Sequence, residues 1–162
     1  MDSKQLPVIG WREWIALPEL GVPHIKVKVD TGARSSAIHA LNIEQFEADG
    51  IKKVRFQIAP LQSNDEQLVV VETDLLEERA ITDSGGHQQI RPVVVTSISL
   101  GELYWPIELT LTNRDVMGFR MLLGRQAIRE RFLVDPRHSY LQSQNVGKGD
   151  DSDLPESFQS DD

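Results

Sequence analysis

The chain contains no cysteine. That absence excludes disulfides, thiolate metal sites and hydrolysis by a cysteine nucleophile. Positive charge is in short supply: 17 Lys and Arg stand against 25 Asp and Glu, a net charge of −8, which argues against nonspecific nucleic-acid binding. No apolar run is long enough to cross a bilayer, and Met1-Asp2-Ser3-Lys4-Gln5 lacks the apolar core of a secretory signal. A soluble cytoplasmic protein with neither a membrane nor a nucleic-acid partner is expected. There is no Gly-x-x-x-x-Gly-Lys-Ser/Thr loop for ATP phosphates and no His-Glu-x-x-His helix for zinc. The four histidines, His24, His39, His87 and His138, are dispersed, so no metal or other cofactor is expected. His39 reads as a hydrogen-bonded structural residue rather than a ligand.

What is present is β-forming. The 162 residues suffice for one domain with a real core. Residues 9–17, 25–29, 35–41, 54–58, 68–71, 93–100, 104–111, 121–123 and 132–135 read as strands from alternation or from short apolar runs. Residues 43–49 read as a loop or a short strand ending at Gly50, and Pro106 marks an interruption or an edge. Glu77–Ile81 and Gln89–Val95 flank Thr82-Asp83-Ser84-Gly85-Gly86-His87, which predicts a β-hairpin with a Gly-Gly tip. Arg125–Arg131 is the one predicted helix. Trp11 and Trp14 read as core or dimer packing. From about Gln142 the chain turns rich in Gly, Ser and Asp, giving a domain over 8–141 and an acidic, disordered tail over 142–162.

One stretch carries chemistry. The alternating run Ile25, Val27, Val29 ends on Asp30, and Thr31 and Gly32 follow at once. A carboxylate at the tip of a rigid strand, with a hydroxyl beside it and Gly to permit a tight turn, suits a catalytic acid. Asp30-Thr31-Gly32-Ala33 resembles the active-site motif of retropepsin-like aspartic proteases, and Met121-Leu122-Leu123-Gly124-Arg125 resembles the second motif of that superfamily. Trp11-Arg12-Glu13-Trp14-Ile15-Ala16-Leu17-Pro18 and Lys28-Val29-Asp30-Thr31-Gly32-Ala33-Arg34 are similar to a bacterial branch, the RimB-like proteins, whose usual name asserts an ATP-dependent zinc protease. The resemblance spans Val8 to Leu141.

The resemblance implies an all-β, closed acid-protease barrel with a flap hairpin and one short C-terminal helix. It implies that Asp30, Thr31 and Gly32 form the catalytic loop, with Thr31 bracing the opposite loop and Gly32 close to substrate backbone. Leu122, Leu123 and Gly124 would support that loop from beneath. Ala33, Arg34, Arg125 and the flap residues Ser84, Gly85 and Gly86 would contact substrate; otherwise the hairpin is an ordinary surface feature. Aspartic proteolysis needs two carboxylates sharing one proton. With one Asp-Thr-Gly per chain, the simple consequence is a homodimer. A monomer pairing Asp30 with Asp83 is the alternative, since Asp83-Ser84-Gly85 matches the same pattern.

Viral-type retropepsins carry an acid where Arg34 stands here, so its pairing with Arg125 is lost unless Asp115 or Asp135 substitutes. Two cations by the cleft would favour acidic or glutamylated peptide; the bland reading is local surface contacts. Three functions follow: a dimeric aspartic endopeptidase, a non-catalytic peptide-binding barrel partnering an ATP-grasp glutamate ligase, or the zinc peptidase of the family name. The residues supply neither a zinc nor an ATP site, so any ATP dependence would come from a partner.

Overall fold

The computed structural model describes residues 5–60, 68–83, 85–114 and 118–143. Ser84, Asp115, residues 61–67 and residues 144–162 lie outside the described residues. The strands in chain order are β1 (Val8–Ile9), β2 (Arg12–Leu17), β3 (Val22–Asp30), β4 (Ser36–His39), β5 (Leu41–Ala48), β6 (Ile51–Ile58), β7 (Val69–Asp74), β8 (Glu77–Thr82), β9 (Gln88–Leu100), β10 (Leu103–Thr112), β11 (Met121–Gly124) and β12 (Leu133–Val134). The helix α1 covers Arg125–Ile128. The fold is all-β.

Six strands close a hydrogen-bonded ring in the order β10, β4, β11, β3, β2, β9 and back to β10. The β2–β9 seam is thin, a single register pair between Ala16 and Ser99. The inner faces of this ring (Ile25, Val27, Ile38, Ile98, Leu109, Leu123) are almost completely buried in one cluster. Closure of this kind removes exposed sheet edges and gives one rigid frame. β11 lies between β3, to which it is parallel, and β4, to which it is antiparallel. The strand entering the Asp30 turn and the strand leaving it are therefore separated by a third strand from much later in the chain.

β5, β6 and β7 form a separate antiparallel sheet. Val54, Phe56 and Ile58 face the core, while Lys53 and Arg55 pair on the wet face with Asp74, Glu72 and Glu44. β5 is a full eight-residue strand where the sequence left a loop or a short strand open. Its turn, Asp49-Gly50, has φ of 54° and 78°, the left-handed pair of a tight hairpin. Pro106 does not interrupt β10: it pairs with Ser97 of β9, and β4 joins the other side of β10 only from Leu109 onward. That places Pro106 on a local edge, where a missing N–H costs nothing.

The helix is shorter than the predicted Arg125–Arg131. Arg129 is already extended, and Glu130 has φ of 70°. The turn brings Phe132 beneath Trp105 (ring centroids 5.7 Å apart), and the Trp105 indole N–H donates to Ala127 O at 3.0 Å. Packing of these two aromatics overrides the local helix preference of 129–131.

The charges interleaved with Trp11 and Trp14 are buried rather than solvated: Arg12 and Glu13 have no exposed surface. Residues 138–143 lie over this part of β2. The Glu13 carboxylate accepts hydrogen bonds from the Gly10, Leu141 and Gln142 amides and from the Ser143 hydroxyl. The Arg12 guanidinium sits over the rings of Trp11 and Tyr140 and donates to Ser139 Oγ. Gln142 and Ser143, read from sequence as the start of the tail, are thus packed. Trp14 is 3% exposed, which makes it core within one chain.

Candidate active site

β3 ends at Asp30 because Val27 and Val29 bury one side and the next residues turn. The turn is tight. The Ala33 amide donates to Asp30 O at 3.2 Å, and the Gly32 amide donates to Asp30 Oδ1 at 3.0 Å. The carboxylate is half-buried, while Thr31 and Gly32 are exposed beside it.

The end of β11 clamps this loop. In register, Gly124 lies opposite Asp30 and Leu123 opposite Val29. The Gly124 amide donates to Ser36 Oγ at 3.0 Å; the Arg125 and Gln126 amides donate to Ala33 O and Arg34 O. The Arg125 guanidinium reaches back to Gly32 O at 3.1 Å and Thr31 O at 3.4 Å. Gly124 is extended (φ −87°), so its requirement is space: a Cβ would lie 2.5 Å from Ser35 O and 2.6 Å from Ser35 C. Leu123 is buried in the barrel core, and Leu122 forms part of the cleft floor.

A cavity of about 1040 Å³ opens over Asp30, and residues 79–82 of β8 and the adjoining Asp83 form its opposite wall. Of the residues expected to meet substrate, Asp30, Gly32, Ala33, Arg34 and Arg125 line it. Thr31 lies outside the lining, as do Gly85 and Gly86 at the hairpin tip; Ser84 is outside the described residues. The tip is folded on Asp83, whose Oδ1 accepts the amides of Gly85 and His87, both at 2.9 Å. The His87 amide, then that of Gly85, holds the Asp83 carboxyl below its ordinary pKa.

Asp135 does not replace the missing acid. It binds the Arg137 side chain and amide and the His138 ring, which lower its pKa to about 2. Arg125 donates to the loop carbonyls through Nη1 alone and also lines the cleft, beside the exposed Arg34.

The cleft contains cations that sequence reasoning passed over. Arg79 and Arg91 face each other in register across β8 and β9 and both line the cavity, with Glu108 and Thr110 of β10. Arg79 is paired with Glu77 (2.7 Å) and Glu108 (2.9 Å), and its pKa is raised, chiefly by the bond to Glu77. Strand alternation around the predicted Gly-Gly turn was the signal for this pair.

Zinc finds no fit. Among the described residues no three His, Asp or Glu side chains gather as a metal set. His39 Nδ1 lies 3.1 Å from Arg120 Nη1, and His24 stacks edge-on against Trp14. The chemistry on offer is that of one clamped carboxylate, Asp30, in a large cleft that Asp83 and Glu108 also line.

Residues 8–145 match the RimB-like family, described as retropepsin-like aspartic endopeptidase RimB, and the chain belongs to that family. Proteins named probable alpha-L-glutamate ligase are also similar. The one from Desulfotalea psychrophila is 46% identical over 129 residues, and the one from Shewanella pealeana 47% over 133, covering 80% and 82% of this chain. The chain spans only 28% and 29% of those relatives' own length. A solved Legionella pneumophila protein of unknown function (DUF785) superposes with a TM-score of 0.69 at 29% identity, covering 85% of this chain and 99% of that one.

Proposed function

We propose that this RimB-like chain is an aspartic endopeptidase whose active site is completed by a second copy, Asp30 of each meeting at a two-fold axis. The observation that carries the reading is the Asp30 loop. Its carboxylate is oriented by the Gly32 amide, the loop is fixed from behind by Gly124 and Arg125, and Thr31 and Gly32 are exposed where a partner loop would meet them. Two carboxylates a few ångströms apart cannot both ionise easily, so the pair holds one proton between them. The ionised member takes a proton from a bound water as that water attacks the peptide carbonyl carbon; the protonated member donates to the carbonyl oxygen. As the C–N bond breaks, the carboxyl that took the water proton delivers it to the amine nitrogen, and the other carboxylate takes a proton back from a gem-diol hydroxyl, which leaves a carboxylic acid and restores the shared proton.

The substrate class that fits is an acidic or glutamylated protein segment. The Arg34 side chain has no hydrogen-bond or ion-pair partner among the described residues and lines the cleft, and segments similar to this chain occur within proteins named for glutamate ligation. No helix among the described residues is long and apolar enough to span a membrane, and a cytoplasmic site of action accompanies this reading.

Asp30→Asn tests it. The variant should fold, form the same dimer by light scattering and lose cleavage by about 10³-fold or more. A strict monomer that still cleaves peptide would remove the shared site. A second reading, a non-catalytic peptide-gripping barrel that partners an ATP-grasp glutamate ligase, is favoured by the names of the longer relatives. It expects Asp30→Asn to keep full function, and no peptide to be cut by either form.

A further inference from the structure

We propose that Arg91 is the specificity-determining residue of the cleft, binding a carboxylate of the substrate opposite the Asp30 loop. The inference rests on the reading of the cleft as a peptide site, and it assigns a residue that neither motif of the family resemblance contains.

The argument starts from the fate of each guanidinium in the cavity. Arg79 is neutralised by Glu77 and Glu108. Arg125 is held against the Asp30 loop by Nη1 bonds to the carbonyls of Thr31 and Gly32. Arg34 is exposed, so water and salt screen it. Arg91 differs from all three. It is partly buried in the wall of the cavity, and no carboxylate among the described residues lies within ion-pair distance. Its side-chain bonds go to neutral acceptors, from Nε to Gln89 Oε1 at 2.9 Å and from Nη1 to Thr110 Oγ1 at 3.5 Å. Burial, then the nearby charge of Arg114, disfavour its cationic form, and the Asp83 carboxylate on the same cavity wall offsets them only in part. A guanidinium in this position is a standing cost that an acidic ligand removes, and partial burial makes the gain larger than at an exposed arginine.

Its position is also fixed relative to Asp30. Thr110 is buried, receives the Arg91 contact and donates to Ser36 O at 3.0 Å. Ser36 Oγ in turn accepts the Gly124 amide that sits behind the Asp30 turn. A chain of bonds thus ties the cation on the hairpin wall to the strand leaving the catalytic loop. A binding group held by its own supporting contacts is what side-chain selection requires. The planar fork of Arg suits a carboxylate, whether from a glutamyl side chain or from a peptide C-terminus.

The test compares kcat/KM of the full chain on peptides carrying Glu or the isosteric Gln around the scissile bond, each with a free or amidated C-terminus. Arg91→Gln should lower the acidic-to-neutral ratio by about tenfold or more, since hydrogen bonds to charged groups are the strong ones. Arg91→Lys should restore part of the ratio, and Arg34→Gln should lower it less than Arg91→Gln. Loss confined to Glu-containing peptides assigns the side-chain carboxylate; loss confined to free C-termini assigns the terminal one. A merely structural Arg91 would lower all substrates together and leave the ratio unchanged, which overturns the proposal. Peptide binding to Asp30→Asn by fluorescence anisotropy separates this inference from the protease reading. If no form cleaves but acidic peptide binds in an Arg91-dependent way, the endopeptidase falls and Arg91 stands. If no form binds or cleaves acidic peptide, both fall.

Discussion

Asp30-Thr31-Gly32 and Asp83-Ser84-Gly85 share a pattern and also a local hydrogen bond. In each, the carboxylate Oδ1 accepts the amide of the glycine two residues on, at 3.0 Å for Gly32 and 2.9 Å for Gly85. Both aspartates line the same cavity. Everything beyond that bond differs. The Asp30 turn is clamped by Gly124, Arg125 and Gln126 from β11 and α1, and its strand is hydrogen-bonded on both sides within the ring. The Asp83 turn ends a two-stranded projection, and its carboxylate is occupied with the Gly85 and His87 amides. An Asp-x-Gly sequence therefore encodes a turn, and the buried strand behind it decides whether that turn is a rigid platform or a hairpin tip.

The sharpest way to break the contrast is to neutralise each acid. Asp83→Asn should leave peptide cleavage within about threefold of wild type, against a loss of about 10³-fold or more for Asp30→Asn. Equal losses in a kcat/KM assay, in a chain that light scattering shows to be monomeric, would restore the pairing of Asp30 with Asp83 within one chain.

The two turns should also differ in what a methyl group costs. Gly124→Ala forces a Cβ into the Ser35 carbonyl, two rigid backbones with no side chain to yield. A destabilisation of about 3 kcal/mol is expected from such overpacking. Gly86→Ala meets nothing within 4 Å but sits at φ 85°, so only the left-handed penalty applies, about 1 kcal/mol. Urea midpoints at constant m-value measure both. A larger loss at Gly86 would mean that the tip, not the clamp, governs stability.

The same contrast explains what the sequence could and could not show. Asp30 and the Leu122–Leu123–Gly124 support were readable because each is a short pattern whose role is local or paired in register. The ring closure behind them was not, since β11 reaches β3 across some ninety intervening residues and nothing in the sequence states that pairing. The burial of Arg12 and Glu13 was not legible either, since residues 138–143, which cover that face of β2, lie far along the chain. β5 was undervalued because its outward residues are polar, although Asp49-Gly50 announces the hairpin. The charge of Arg125 is visible in sequence, whereas its bonds to the carbonyls of Thr31 and Gly32, which tie it to the Asp30 loop, are not.

The smallest expected difference is in pH response. The Asp83 carboxyl lies below its ordinary value near 3.8 because the amides of His87 and Gly85 stabilise the ionised form. A depressed folded pKa contributes stability above the unfolded value and loses it as pH falls through the folded one. The Gly85 and His87 amides, whose acceptor is this carboxylate, should therefore lose exchange protection as pH drops below about 4. The Arg125 amide behind Asp30 donates to the backbone oxygen of Ala33, which does not titrate, and should keep its protection over the same interval. Amide exchange by NMR, corrected for the intrinsic pH dependence of exchange, separates the two sites. Asp83→Asn should flatten the response at the tip. If the tip amides of wild type and Asp83→Asn respond alike, the turn is held by the β8–β9 ladder alone, and the two Asp-x-Gly loops share less than their matching hydrogen bonds imply.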